Sequence, residues 1–130
     1  MKTVYQNSLY SFIFDSENHV LIFEWTEKTA AMTDENFIDA LSNYAGFAFE
    51  LKGPGLLVDV RKFVHKMGEE AMKWRNDVAL SRYMLAGSMK MAYVMPAQAI
   101  DSLPKGNVQV GEFTDHYFGS MVEATGWLKK

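Results

Sequence analysis

The chain of 130 residues contains no cysteine. It can therefore form no disulfide, no thiolate metal site and no cysteine nucleophile. Long apolar runs are also missing, because a run such as residues 20–23 is far shorter than the roughly 20 residues of a membrane-spanning helix. No apolar leader-type segment stands near the first residues. These absences predict a cytoplasmic protein that does not span a membrane.

The chain has no excess of basic charge. Thirteen Lys and Arg stand against 16 Asp and Glu, which gives a net charge of −3. This balance argues against a protein that binds nucleic acid by neutralising phosphates. Hydrophobic residues make up 48% of the chain and aromatic residues 14%, which is enough to bury one core and too much for a disordered chain. We predict a single domain over residues 1–130.

The first half predicts a hairpin followed by a helix. Residues 9–14 alternate with period two, residues 15–18 are typical of a turn, and residues 20–25 form a second apolar run. Thr33 is a suitable N-cap for a helix that residues 53–55 end. Phe37, Leu41 and Tyr44 form its apolar stripe, which Phe49 widens.

The second half predicts a crossover unit. Residues 56–60 and 91–95 are short apolar strands, and residues 67–85 form a helix that buries a face including Leu85. The two strands should run parallel. A helical turn within residues 97–103, a strand near 108–113 and a helix from about Thr114 and Asp115 that buries Val122 complete the chain. The order β-β-α-β-α-β-(α)-β-α predicts an α/β fold with a mixed sheet.

No catalytic, metal or cofactor motif is present. His19, His65 and His116 are not spaced as metal ligands, and no serine lies in a nucleophile elbow. Glycine-rich phosphate or dinucleotide loops are absent as well. We therefore predict no enzymatic activity, no metal and no cofactor.

Residues that follow the third predicted strand are the candidate contact site. Asp59 lies near the carboxyl end of that strand, where ligands bind in open α/β sheets, although it can instead cap the turn or pair with Arg61. The segment of residues 61–90 is basic, which indicates either a solvated face or a docking surface for an anionic partner. Paired acidic residues at the next helix start compensate the helix dipole or present a fixed negative charge. The candidate site residues are Asp59, Arg61, Lys62, His65, Lys66, Glu69, Glu70, Trp74 and Arg75.

Methionine is frequent in this chain. Nine methionines are present, and Met84, Met89, Met91 and Met95 cluster around the last part of the crossover helix and the strand that follows. Thioether side chains fill irregular gaps in a core, and they also suit an adaptable apolar cavity. Core packing and a cavity for an acyl-like ligand both remain open.

Three segments resemble the bacterial SpoIIAA-like family, which is of STAS/SEC14 type and has the STAS fold. They are residues 58–63, then Arg82 with residues 90–94, then Phe113 with residues 123–128. The resemblance implies a STAS-like domain over the whole chain, with helices packed mainly on one face of the sheet. In related anti-sigma antagonists a Ser or Thr at the start of the helix after the third strand is phosphorylated. This chain has neither residue between Asp59 and Leu80.

The resemblance implies a non-enzymatic regulatory module that contacts a protein partner through the loop and helix after the third strand. The alternative is a carrier of a lipid or another small apolar or anionic ligand. An aromatic sheet face left open by the helices also predicts a homodimer.

Overall fold

The computed structural model describes residues 1–130 and contains one sheet of seven strands. The strands lie in the order β1-β2-β3-β4-β5-β7-β6 across the sheet. Their bounds are β1 Lys2–Gln6, β2 Tyr10–Asp15, β3 Val20–Trp25, β4 Gly55–Asp59, β5 Lys90–Val94, β6 Val108–Val110 and β7 Phe113–Phe118.

The sheet is mixed, as predicted. The pairs β1–β2, β2–β3 and β6–β7 are antiparallel, whereas β3–β4, β4–β5 and β5–β7 are parallel. The predicted hairpin of β2 and β3 and the parallel crossover from β4 to β5 are therefore confirmed. The α/β class is confirmed with them.

The helices cover the two faces of the sheet unequally. Helix α1 (Asp34–Glu50) and a continuous helical run of α2 (Glu69–Trp74), a π-helical segment (Arg75–Ala79) and α3 (Leu80–Ala86) pack on one face. Helix α4 (Met121–Leu128) packs alone on the other face. Two short 3₁₀ turns, Glu27–Ala31 and Ile100–Ser102, complete the regular structure. No helix combines the length and hydropathy of a membrane-spanning segment.

Local signals in the sequence explain where the helices begin and end. Thr33 caps α1, since its hydroxyl accepts a hydrogen bond from the Asn36 backbone and the Asn36 side chain accepts one from the Thr33 backbone. Gly87 ends α3 with a left-handed φ of 103°, which glycine adopts without steric cost.

The larger core lies between the sheet and the two longer helical bodies. It is strongly aromatic, and Phe12, Phe23 and Tyr44 are fully buried in it with ring centroids within 4.8 to 5.2 Å of one another. A smaller core of aliphatic and alanine side chains lies under α4. Alternation along the central strands supplies both cores, because successive side chains point to opposite faces.

The ends of the chain differ from the sequence prediction. Residues Lys2–Gln6 form an additional edge strand, β1, which pairs with β2. The predicted final helix begins too early, since Thr114 and Asp115 belong to β7, and α4 begins only at Met121. The alternation of Phe113, Asp115 and Tyr117 forms a strand because β7 pairs on both sides, with β5 and with β6.

Three residues assigned to buried helix faces are exposed. Phe49 is 68% exposed, Leu85 80% and Val122 82%. Phe49 and Val122 point away from the sheet beside buried neighbours on the same turns, because each residue advances the helix by about 100°. Leu85 is turned away from the core by the π-helical segment. That segment has about one extra residue in its turn, so the side chains that follow it are rotated around the helix axis.

Candidate functional site

A cavity of about 240 Å³ lies between the sheet and the helices of the larger core. Thirteen of its 15 lining residues are hydrophobic, and the other two are Arg75 and Asp115. The exposed Met72 and the half-buried Met95 and Tyr117 are among the lining residues, so the cavity opens near the carboxyl ends of β5 and β7. The lining residues are Trp25, Phe37, Leu41, Val58, Val60, Phe63, Met67, Met72, Arg75, Tyr83, Met91, Tyr93, Met95, Asp115 and Tyr117.

The strands form the floor of the cavity. Register pairs Met91 with Asp115 and Tyr93 with Tyr117 across β5 and β7, so these four side chains point to the same face. The rings of Tyr93 and Tyr117 stack with their centroids 5.5 Å apart. The floor is consequently apolar and aromatic except for the carboxylate of Asp115 and the hydroxyls of Tyr93 and Tyr117.

That carboxylate forms a buried ion pair. Arg75 Nη2 lies 2.9 Å from Asp115 Oδ1, and the two side chains are only 9% and 4% exposed. The same nitrogen donates a hydrogen bond to the Tyr93 hydroxyl. Burial opposes the charge of Arg75, but the oxygens of Tyr93 and Asp115 favour it more strongly, and the pKa of Arg75 is raised. The cavity therefore contains one positive and one negative charge that neutralise each other.

The π-helical segment brings Arg75 to this position. It begins at Arg75, and the Leu80 backbone N–H donates to the Arg75 carbonyl, which is an i to i+5 bond. The buried residues of the run are then Ala71, Arg75, Ala79, Leu80 and Tyr83. Single π turns in α-helices occur frequently at functional sites, so this irregularity points to the same place as the cavity.

Tyr83 contributes a further polar group. It is 1% exposed, and its hydroxyl is the one buried side-chain polar atom in the chain that lacks a hydrogen-bond partner. Burial raises the pKa of Tyr83, and the neighbouring Tyr93 raises it further. Burial also raises the pKa of Tyr93. Both hydroxyls consequently keep their protons at neutral pH.

The loop of residues 60–68 supplies one wall of the cavity through Val60, Phe63 and Met67. The Phe63 and Trp25 rings pack edge to face, with centroids 4.9 Å apart. Polar contacts with the start of α1 hold the outer part of the loop. His65 Nε2 lies 2.7 Å from Asp34 Oδ1, and this hydrogen bond lowers the pKa of Asp34.

Of the nine candidate residues from the sequence, Arg75 alone lines the cavity. Asp59 is buried and pairs with Arg61, whose Nη2 lies 2.8 Å from Asp59 Oδ2. The Arg61 backbone N–H also donates to Asp59 at 3.1 Å, so Asp59 both caps the turn and forms the ion pair. Asp59 follows Val58 in β4 and therefore points to the face opposite the cavity.

The other candidates lie around the cavity wall. Lys62, Lys66, Glu69 and Glu70 are exposed, and His65 holds the loop to α1. Trp74 is half-buried, and the guanidinium of Arg82 lies 5.6 Å from its ring centroid. The structure thus places most of the predicted contact surface on the outer side of the segment whose inner side lines the cavity.

Sequence reasoning missed Asp115, Tyr83, Tyr93 and Tyr117 as site residues. The predicted final helix includes Asp115 and Tyr117, although their alternation with residues 114, 116 and 118 is the period of a strand. The sequence signal for Arg75 and Tyr83 is weaker. These two residues belong to a row of buried residues at intervals of four, namely Ala71, Arg75, Ala79 and Tyr83. A regular helix does not keep such a row on one face, because its period is 3.6 residues.

Four methionines line the cavity, namely Met67, Met72, Met91 and Met95. Two of them, Met91 and Met95, belong to the cluster noted in the sequence. Met84 and Met89 of that cluster lie outside the cavity lining.

Nowhere in the chain do three or more His, Asp or Glu side chains meet as a metal-binding group. The two charged side chains of the cavity are engaged with each other, so they offer no open ligand set.

Comparison of the chain with family models, with curated proteins and with solved structures gives no significant match. The resemblance to the SpoIIAA-like family therefore stays a prediction, and the finer STAS topology stays one with it.

Proposed function

We propose that this protein is a non-enzymatic binding protein for a small, mostly apolar molecule, which it holds in the cavity above β4, β5 and β7. The observation that carries the proposal is the cavity itself, about 240 Å³ in volume, with 13 hydrophobic side chains among its 15 lining residues. Small-molecule sites are typically concave and apolar, with a few polar groups that fix orientation.

The size of the cavity sets the size of the ligand. An apolar protein cavity of about 150 Å³ holds benzene, so this larger one accepts a substituted monocyclic molecule or a short acyl chain. The four lining methionines have flexible side chains that adapt to ligands of different outline. Such a site corresponds to the carrier alternative that the sequence left open.

The polar groups of the cavity support binding rather than catalysis. The guanidinium of Arg75 and the carboxylate of Asp115 satisfy each other, and the lining contains no His, Ser, Thr or Lys. The remaining polar atoms include tyrosine hydroxyls whose raised pKa values make them poor general bases at neutral pH.

Toluene is a suitable first probe, because it is apolar and slightly larger than benzene. We expect toluene to raise the melting temperature of the protein and to shift backbone amide NMR signals of α2, β5 and β7. Val60 lines the cavity, so the larger side chain of Val60→Trp should occupy the cavity volume and abolish both effects. Val122→Trp, on the exposed outer side of α4, is the matched control and should preserve them. The proposal fails if toluene shifts no signal near the cavity, or if Val60→Trp folds and binds as before.

A second proposal is contact with an acidic protein partner through the outer side of the loop of residues 60–68. It is favoured by Val64, an apolar side chain that is 60% exposed, and by the neighbouring Lys62 and Lys66, which form no ion pair. Glu69 and Glu70 oppose this charge, so the cavity remains the better supported site.

Charge reversal tests the second proposal. The double variant Lys62→Glu and Lys66→Glu should lose a partner captured from native lysate, whereas Lys28→Glu with Lys129→Glu should keep it. Retention of every partner by both variants would place the contact elsewhere. A cytoplasmic location, a homodimer and a STAS-like regulatory role remain predictions from the sequence.

A further inference from the structure

Two residues that line the cavity, Tyr83 and Tyr93, carry hydroxyl protons that have no acceptor within the protein. The Tyr83 hydroxyl is fully buried and makes no hydrogen bond. The Tyr93 hydroxyl accepts a hydrogen bond from Arg75, and no bond that it donates is found. Buried polar groups are nearly always paired, so the unpaired hydroxyl of a residue that lines a ligand-sized cavity points to a partner from outside the protein.

Tyr83 and Tyr93 both line the cavity, and each hydroxyl keeps a proton that it can donate. After burial, Tyr93 has the largest effect on the pKa of Tyr83, and it raises that pKa. The raised pKa values keep both phenols protonated, and neither hydroxyl can serve as an anionic acceptor. A ligand that accepts the proton of one of these hydroxyls has to present an acceptor atom.

The charge of the cavity is already balanced. Arg75 is the single cationic side chain of the lining, and its Nη2 is bound to Asp115 at 2.9 Å. A ligand carboxylate at the same depth would leave one negative charge without a counter-charge, and a buried unpaired charge is strongly unfavourable. The ion pair therefore selects against anions, although an arginine by itself would attract them.

We propose that the ligand is an uncharged molecule whose hydrocarbon part fills the apolar cavity and whose one acceptor oxygen, such as that of a ketone, ester, ether or alcohol, receives a hydrogen bond from the Tyr83 hydroxyl. Tyr93 lines the same cavity, and its hydroxyl is a second donor without an acceptor in the protein. This inference rests on the proposed function, and it narrows the carrier alternative, because it excludes ionised fatty acids and other anionic ligands.

Three probes of similar size test the inference: acetophenone with a neutral acceptor oxygen, ethylbenzene with none, and benzoate with a negative charge. Their dissociation constants are measured by NMR titration of the ¹⁵N-labelled protein at neutral pH. We expect acetophenone to bind about tenfold more tightly than ethylbenzene, which corresponds to one hydrogen bond to a buried donor. Benzoate should bind most weakly.

The variant Tyr83→Phe removes the unpaired hydroxyl and keeps the ring. It should lower the ratio of acetophenone affinity to ethylbenzene affinity about tenfold. Tyr44→Phe is the matched control, because Tyr44 is equally buried, lies outside the cavity lining and donates to the Leu21 carbonyl. It should leave the ratio unchanged.

The possible failures are distinguishable. If none of the three probes binds the wild-type protein, the proposed function fails, and the inference fails with it. If ethylbenzene binds as tightly as acetophenone, or benzoate binds most tightly, the inference alone is overturned. The same holds if Tyr83→Phe folds and keeps the wild-type ratio. The order of the three probes on the wild-type protein is by itself a test should Tyr83→Phe not fold.

Discussion

The protein contains two arginine–aspartate ion pairs with opposite properties. Asp59 and Arg61 are two residues apart, lie at the end of β4 and leave the Arg61 side chain 48% exposed. Arg75 and Asp115 are 40 residues apart and are almost completely buried in the cavity. The outer pair, Asp59–Arg61, forms between residues of one turn. The inner pair, Arg75–Asp115, forms only because a helix packs against a strand that is distant in the chain. Short sequence spacing therefore identified the pair that does not line the cavity.

The largest effect is expected from breaking the inner pair. Arg75→Met should lower the free energy of unfolding by about 3–5 kcal/mol, because it leaves the buried Asp115 without a counter-charge. Urea denaturation monitored by tryptophan fluorescence measures the loss. The double variant Arg75→Met with Asp115→Leu should recover most of it, since it removes both charges. A loss below about 1 kcal/mol in the single variant would show that the pair is not desolvated as its geometry indicates.

The next effect concerns the π-helical segment that delivers Arg75. Deletion of the exposed Asn76 should return the run to regular α-helix and rotate either Arg75 or Tyr83 out of the core. We expect a loss of roughly 2–5 kcal/mol, the cost of withdrawing one large buried side chain. Toluene binding should be lost with it. Asn76→Ala keeps the residue count, removes only the hydrogen bond that the Asn76 side chain accepts from Arg75 Nη1, and should retain stability within about 1 kcal/mol. Equal effects of deletion and substitution would contradict this role of the segment.

A smaller effect is expected at the outer pair. Arg61→Met should lower the free energy of unfolding by about 1–2 kcal/mol, because the half-exposed guanidinium contributes little by itself but the buried Asp59 carboxylate loses its counter-charge. Asp59 also keeps its hydrogen bond from the backbone N–H of residue 61. Toluene affinity should stay at the wild-type value, since Asp59 points to the other face of the sheet. A change in that affinity would connect the outer pair to the cavity.

The smallest effect concerns the contact of His65 with Asp34 on the loop of residues 60–68. The pKa of Asp34 is lowered by its hydrogen bond with His65 and by one from the Gly68 backbone. A carboxyl whose pKa is lower in the folded state stabilises the fold above its unfolded value, near pH 4, and this contribution is lost as the pH falls through the folded value. Acidification should therefore destabilise the wild-type protein.

The variant His65→Ala should make that acid destabilisation shallower below about pH 5, where Asp34 begins to bind a proton in the unfolded chain. His19→Ala, at an exposed turn, is the matched control and should follow the wild-type curve. Urea denaturation at several pH values compares the three proteins. Identical curves for wild type and His65→Ala would mean that the hydrogen bond with His65 does not lower the pKa of Asp34.

Patterns of short range predicted much of the fold. The capping residue Thr33, the alternation in β2 and the apolar runs of β4 and β5 gave the hairpin, α1 and the parallel crossover in their correct order. Prediction was poorest at β1 and β7. Strand β1 forms by pairing with β2, and β7 forms by pairing with β5. Both strands mix polar and apolar residues, so their own sequences carry only a weak strand signal.

The candidate site was predicted only in part, for a related reason. Asp59 and Arg61 are recognisable from a strand end and a spacing of two residues. Asp115 has no such local partner, and its role depends on Arg75, which reaches it through an irregular helix turn. Tyr83 is distinguished by the lack of a hydrogen bond, a property that a sequence does not contain.

The sequence by itself determined the α/β class, one parallel crossover and a chain rich enough in aromatic residues to build a core, because hydrophobic period and turn chemistry act over a few residues. The tertiary structure alone decided where the cavity lies, that its two charges cancel and that one buried hydroxyl is left unpaired. These properties arise from contacts between elements far apart in the chain. Their free energies depend on burial, and burial is fixed only when the helices have packed on the sheet.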